Sequence, residues 1–164
     1  DKSEKAPDLI LKLSDLMKYF LYETGKDYQT LKNEIAHIKD YIEIERLRYD
    51  ETLKIDFNIE GEIKKTMIKP LLLIPLVENA FKHGARNSDK DPYIIINLIV
   101  TKSFINFKVE NSSQNPTKKI KQQIGGIGLS NVKKRLELNY GKDNYELNTF
   151  NQKNKYIAEL KVSL

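Results

Sequence analysis

Residues 70–84 read PLLLIPLVENAFKHG, and GGIGLSN follows at residues 125–131. Placed on a helix, the first stretch sets Glu78, Asn79, Lys82 and His83 within one polar arc, because i, i+1, i+4 and i+5 are near neighbours around a 3.6-residue turn. Leu73, Leu76, Val77 and Ala80 then fall on the opposite side, the face a core claims. An acid, an amide, an ammonium and an imidazole on one ridge suit a groove that holds a metal ion and a polyphosphate. The glycines of the second stretch precede a helix and allow close backbone approach to a ligand. The first N–H groups of that helix lack partners and carry partial positive charge, which an anion such as phosphate satisfies.

Outward from these two stretches, periodicity gives the remaining elements. Pro7 opens a helix that Gly25 closes, with Leu9, Leu13, Leu16 and Phe20 as its stripe, flanked by Met17 and Leu21. A second helix is expected from about Tyr28 to Tyr49, with Leu31, Ile35, Ile38 and Ile42 on one side. Leu53–Ile59 alternates as a strand, and the helix bearing the polar arc comes next. After ARNSDKDP come two strands, YIIINLIVT and FINFKVEN, joined tightly at Lys102–Ser103. The polar segment 112–124 has no period and reads as a mobile loop. Gly128–Tyr140 forms a last helix that Gly141 can cap, and strands at about Tyr145–Phe150 and Tyr156–Leu164 finish the sheet.

Strand parity singles out one further residue. Ile105, Phe107 and Val109 share a face of FINFKVEN, and Asn111 is next on that face. A polar side chain placed there must find a partner, either a neighbouring loop backbone or a bound heterocycle.

Composition sets the class. The chain has 164 residues, 40% hydrophobic and 31% charged, so it suits one globular domain with a helical appendage. Lacking cysteine, it has no disulfide framework and no thiolate chemistry, which fits a reducing compartment. No apolar run reaches bilayer length, and the opening DKSEKAPD reads as a domain boundary. The net charge of +5 is spread along the chain, with a local cluster at Lys118, Lys119 and Lys121. A lysine-rich surface explains it more simply than nucleic-acid binding, since no nucleic-acid module signature accompanies the charge.

PLLLIPLVENAFKHG, GGIGLSNVKKRLELNYG and the upstream LSDLMKYFLYET with LKNEIAHIKDYIEIERLRYD together resemble the LytS/YehU-type sensor histidine kinases. More broadly they resemble the GHKL ATP-binding superfamily of chaperone, gyrase and mismatch-repair ATPases. The resemblance implies an α/β (α+β) two-layer sandwich, a mixed, mostly antiparallel sheet against helices, with an N-terminal helix before it. Residues 1–26 would be the second helix of a truncated dimerisation hairpin, and residues 27–164 the ATP-binding domain. It further implies ATP and Mg2+ as ligands. Asn79 would hold the metal, with Glu78, Lys82, His83 and Gly84 around the metal and phosphates. Asn111 would read adenine, Gly126, Ile127 and Gly128 would cradle phosphate, and Leu129 and Asn131 would mark the far hinge of a lid at 112–124.

Two departures from the family pattern modify the expectation. Asn111 stands where many relatives carry the Asp of an Asp-x-Gly-x-Gly box, and Ser112–Ser113 follow it without the glycine. A neutral acceptor makes the weaker hydrogen bond, so weak nucleotide binding is expected. Pro75 stands where ATP-hydrolysing members carry a water-activating glutamate, so hydrolysis is not the expected task. The histidines are His37, an edge residue of its helix, and His83, so the phosphoacceptor would lie upstream of this chain. Implied partners are the receiver domain of a response regulator and a second copy, paired through the N-terminal helix. The implied location is cytoplasmic, below an inner-membrane sensor whose membrane part lies outside this sequence. Two other functions stay open: a nucleotide-blind scaffold relaying signals by dimerisation, and a basic nucleic-acid-binding domain.

Overall fold

Alternation of apolar side chains builds the sheet. In the computed structural model, which describes residues 2–22, 25, 27–49, 52–82, 91–113, 127–152 and 154–164, strand β4 spans Tyr93–Val100 and buries Ile94, Ile96, Leu98 and Val100. Strand β5, Phe104–Ser112, buries Ile105, Phe107, Val109 and Asn111 on the same face. The tight link between them falls at Lys102–Ser103 as expected, closed by the Thr101 amide donating to the Phe104 carbonyl at 2.9 Å. Strands β2 (Lys54–Glu60), β6 (Tyr145–Gln152) and β7 (Lys155–Ser163) complete a five-stranded sheet of order β2-β4-β5-β7-β6. Only β2–β4 is parallel; the other neighbours run antiparallel.

One face of this sheet is covered by helices. Helix α2 (Leu31–Arg46) contributes Leu31, Ile35, Ile38 and Ile42, and α3 (Ile74–Ala80) contributes Ile74, Leu76, Val77 and Ala80. Helix α4 (Ile127–Tyr140) adds Leu129, Val132 and Leu136. The other face is polar, carrying an Asn58–Asn97 hydrogen bond, an Asn106–Glu159 hydrogen bond and a Lys155–Glu110 ion pair. The result is the two-layer α+β sandwich expected, with a mixed, mostly antiparallel sheet and a helix before it.

Several boundaries differ from the sequence reading. Helix α1 runs Lys2–Tyr22, so Pro7 lies inside it and does not open it. Its buried face is Leu16 and Tyr19, whereas Leu13 of the expected stripe is 47% exposed, in line with Ile10, Met17 and Leu21. Apolar residues on two faces of one helix leave the packed face undetermined by periodicity alone. Helix α2 begins at Leu31 because Gln29–Thr30 form a short strand, β1, against Met67–Ile68, β3. The Thr30 hydroxyl then caps α2 by accepting from the Asn33 amide at 3.3 Å. Gly141 follows α4 with φ 74°, the left-handed conformation of a helix cap, as expected.

The largest departure concerns residues 70–84. Helix α3 begins only at Ile74, with Pro75 in its first turn, where a missing N–H costs nothing. Before it, Leu71 adopts φ 58°, a left-handed conformation that costs a residue with a side chain roughly 1–2 kcal/mol. The amides of this turn are spoken for by side chains from elsewhere: Leu71 and Leu73 both donate to the Glu34 carboxylate. Long-range capture, not local propensity, ends the turn and starts the helix.

Candidate nucleotide-binding site

Asn79 projects from the last turn of α3, half-buried, toward the sheet. It interacts there with the Tyr156 hydroxyl, which also meets the Thr149 side chain. Tyr156 is the cross-strand partner of Asn111, so the pairing of β5 with β7 sets the two side by side. Burial pushes the Tyr156 phenol above its ordinary pKa, partly offset by Thr149 and Asn79, so the hydroxyl stays protonated.

Asn111 is 1% exposed. Its Nδ2 donates to the Ser112 carbonyl at 2.8 Å, while its Oδ1 has no hydrogen-bond partner among the described residues. A buried acceptor left unpaired costs on the order of 1–3 kcal/mol, and a ligand N–H placed there recovers it. Asn79, Tyr156 and Asn111 thus gather between α3 and the ends of β5 and β7.

Glu78 and Lys82 take another direction. One helical turn apart, they line a groove of about 320 Å³ against α2, shared with Tyr41, Glu45, Arg48 and Tyr49. The polar arc is therefore divided: Asn79 turns to the sheet, Glu78 and Lys82 toward α2. Arg48 pairs with Glu45 at 3.0 Å, and the Tyr49 hydroxyl donates to the Phe81 carbonyl at 3.3 Å. Burial, and then the nearby Glu45 carboxylate, push the Glu78 carboxyl above its ordinary pKa. A carboxyl raised on folding stabilises the fold most below its unfolded value and loses that contribution as pH rises through its folded value. Glu78→Gln is accordingly expected to raise Tm by a few degrees at pH 7–8, the gain shrinking as pH falls toward 4.5. A pH series of thermal melts checks this; a Tm difference independent of pH would contradict it.

Of the remaining expected residues, His83, Gly84 and Gly126 lie outside the described residues, as do Lys118, Lys119, Lys121 and positions 114–124 of the expected loop. Ile127 starts α4, and Gly128 stands in its first turn with open space where a Cβ would project. Asn131 is exposed on the same helix, whereas Leu129 is 1% exposed and belongs to the core. His37 stacks on Tyr19, ring centroids 3.8 Å apart, and is half-buried at the edge of its helix. No group of three or more His, Cys, Asp or Glu converges as a metal site among the described residues. The donor set fits a cation held by one Asn carbonyl and ligand phosphates, since magnesium commonly keeps few protein ligands.

Sequence reasoning passed over two features of this region. Tyr156 shares parity with Ala158, Leu160 and Val162 on β7, which marks it for the helix-facing side. Glu34 falls beside Leu31, Ile35 and Ile38, a charge on an apolar face, and that anomaly was legible.

Comparison with known proteins follows the same lines. The histidine kinase family model matches residues 1–53, from α1 to the end of α2 and just beyond. The sensor histidine kinase/phosphatase LytS of Staphylococcus aureus (strain MRSA252) is 28% identical over 151 residues, covering 85% of this chain and 26% of LytS. The sensor histidine kinase YesM of Bacillus subtilis (strain 168) is 31% identical over 118 residues, covering 71% of this chain and 20% of YesM. The chain thus spans about a quarter or less of these relatives' length. Among solved structures, the catalytic domain of histidine kinase ThkA superposes with a TM-score of 0.60 at 20% identity, covering 83% of this chain and 93% of that one. ThkA in complex with the response regulator TrrA gives 0.59 at 19% identity, over 96% of this chain and 48% of that one. No helix among the described residues is long and apolar enough to cross a membrane.

Proposed function

We propose, from a chain homologous to the LytS- and YesM-type sensor histidine kinases and folded as a histidine kinase catalytic domain, that it binds Mg·ATP for phosphoryl transfer to a protein histidine. The observation that carries this reading is Asn111: a buried amide whose Oδ1 has no partner among the described residues, set beside Tyr156 and within one side chain of Asn79. The exocyclic amine of adenine supplies the missing donor. Asn79 would hold magnesium, which offsets phosphate charge during transfer; Gly128 and the first amides of α4 would face the phosphates. His83, Gly84, Gly126 and Ile127 belong to the same proposal by resemblance, and Asn131 with Leu129 to the hinge beyond. Glu78 and Lys82, on the α2 side, would act at the edge of the phosphate site, Lys82 as a mobile ammonium.

The accepting histidine would stand upstream of these residues, so this chain alone would bind nucleotide without phosphorylating itself. Residues 1–26 would then complete a dimerisation hairpin with a second copy, which the exposed stripe Ile10, Leu13, Met17 and Leu21 supports. ThkA's complex with a response regulator supports a receiver domain as the partner, and the relatives' role as sensors supports a cytoplasmic place below a membrane part.

Calorimetric titration of ATP with and without magnesium tests the reading. Magnesium-enhanced binding is expected; heats equal to dilution on a folded sample would favour the nucleotide-blind scaffold. Asn111 also carries a selectivity prediction. The Ser112 carbonyl engages Nδ2 and leaves Oδ1, an acceptor, for the base. The wild-type chain should therefore favour ATP, whose base edge offers an amine there, over GTP, which offers a carbonyl. Asn111→Asp offers adenine a charged acceptor but forfeits the donation to the Ser112 carbonyl. ATP should therefore tighten by less than the roughly tenfold that a charged hydrogen bond alone would give, while GTP does not tighten. Equal tightening for both nucleotides would remove Asn111 from the base-reading position.

A further inference from the structure

The buried carboxylate of Glu34 lies outside the expected nucleotide site, yet it bonds the turn that launches the helix carrying Asn79. Glu34 is 0% exposed, and both its oxygens are occupied. Oε1 accepts from the Leu73 amide at 3.1 Å; Oε2 accepts from the Leu71 amide at 3.0 Å, from the Tyr19 hydroxyl and from Gln29 Nε2. Burial raises its pKa, and the Tyr19 hydroxyl with the turn amides works against that rise. The partners come from α1, from β1 and from the turn that launches α3. The Leu71 amide is shared, donating also to the Tyr19 oxygen at 3.2 Å. Tyr19 in turn is fixed on its face by the stacked His37 ring.

Helix α3 is two turns long, so its direction is set where it starts. Asn79 stands six residues beyond Leu73, a rise of roughly 9 Å, and a tilt of about 10° at the turn would move it by about 1.5 Å. A misplacement of that order at a reacting centre costs on the order of a hundredfold in rate. Leu71 sits in a left-handed conformation that relaxes unless held, so the turn is where such a tilt would begin.

We infer that Glu34 and Tyr19 are positioning residues for α3: Glu34 clamps the 71–73 turn so that Asn79 is presented, and Tyr19 makes that clamp depend on where α1 lies. This rests on the reading of Asn79 as the magnesium-side residue. A displacement of α1 pulls the Tyr19 hydroxyl from Glu34 and from the Leu71 amide at once. Because coupling between sites is reciprocal, Mg·ATP on α3 steadies α1 by the same factor.

The test uses the whole chain, with Tyr19→Phe and Glu34→Gln beside wild type. Mg·ATP and metal-free ATP are titrated into each, and amide exchange is followed at residues 16–22 and 71–80. Each variant should lose fivefold or more in Mg·ATP affinity while metal-free ATP changes less than twofold. Exchange at 71–80 should quicken in Tyr19→Phe, although the change lies in α1. Mg·ATP should slow exchange at 16–22 in wild type and not in Tyr19→Phe. Should Glu34→Gln fail to fold, Tyr19→Phe decides alone. Unchanged Mg·ATP affinity, or equal loss with and without metal, overturns the positioning role while leaving the site intact. A folded wild type without magnesium-dependent binding overturns the site itself, and this inference with it.

Discussion

In the Asn79→Ala variant, magnesium-dependent ATP binding is expected to fall by at least about a hundredfold, while the fold persists. Removing a group that merely orients a metal ligand costs tenfold to a hundredfold in metal affinity, and deleting a ligand costs no less. Magnesium takes oxygen ligands in near-octahedral geometry and retains its water reluctantly exchanged, so with few protein donors each one counts. No metal cluster of carboxylates or imidazoles stands by among the described residues to replace it. The fold should tolerate the change because Asn79 is half-buried near the end of α3, and alanine is the better helix former. Tyr156 keeps Thr149 as a neighbour when Asn79 is gone. Metal-free ATP, held through Asn111, should bind as before. Calorimetry with and without magnesium, beside a thermal melt, reads all three quantities. Undiminished magnesium dependence in the variant would reject Asn79 as the ligand.

Phe107→Ala should produce the largest loss of stability of any single change considered. Phe107 is 0% exposed on β5, the middle strand, and its cross-strand partners Leu98 and Leu160 are buried as well. The central strand cannot shift toward a void without breaking two ladders, so the cavity should stay largely open. A buried Phe→Ala change costs about 3–5 kcal/mol. At roughly 2–4 °C per kcal/mol for a chain of this size, Tm should drop by about 10 °C or more. Phe104→Ala makes the control: that ring is half-buried on the polar face beneath the Lys161 ammonium. Urea denaturation of both variants measures the contrast. A loss below about 1 kcal/mol at Phe107 would mean the helical layer does not pack on this face.

The sheet was legible because a strand's period of two survives any environment: parity alone placed Asn111 on the buried face, and it is there. The region around residues 70–84 was legible only in part. Its apolar and polar faces were readable, but the turn before α3 is set by Glu34, Tyr19 and Gln29, none of them local to it. Short-range patterns hold no record of such contacts. Nor do they say which neighbour each polar residue meets: Asn79 turns to β7 while Glu78 and Lys82 turn to α2, although all three share one arc. The β1–β3 pair, two residues on each side, is too short for any periodicity to announce. In α1 the hydrophobic residues occupy two faces, and only the presence of α2 selects between them.

The one parallel pairing in the sheet bears on the order in which the molecule assembles. Hairpins β4–β5 and β6–β7 join neighbours in sequence and can form early, since their ends meet across short links. Strand β2 reaches β4 only by closing the whole stretch 61–92, and α3 lies inside that stretch. The entropy of that closure must be met before the parallel ladder returns anything, which makes it a late event. Asn79 lies on α3 within that stretch, so the ordering of its helix is tied to the same closure. A variant that weakens the β2–β4 ladder is therefore expected to loosen the segment that carries Asn79 as well.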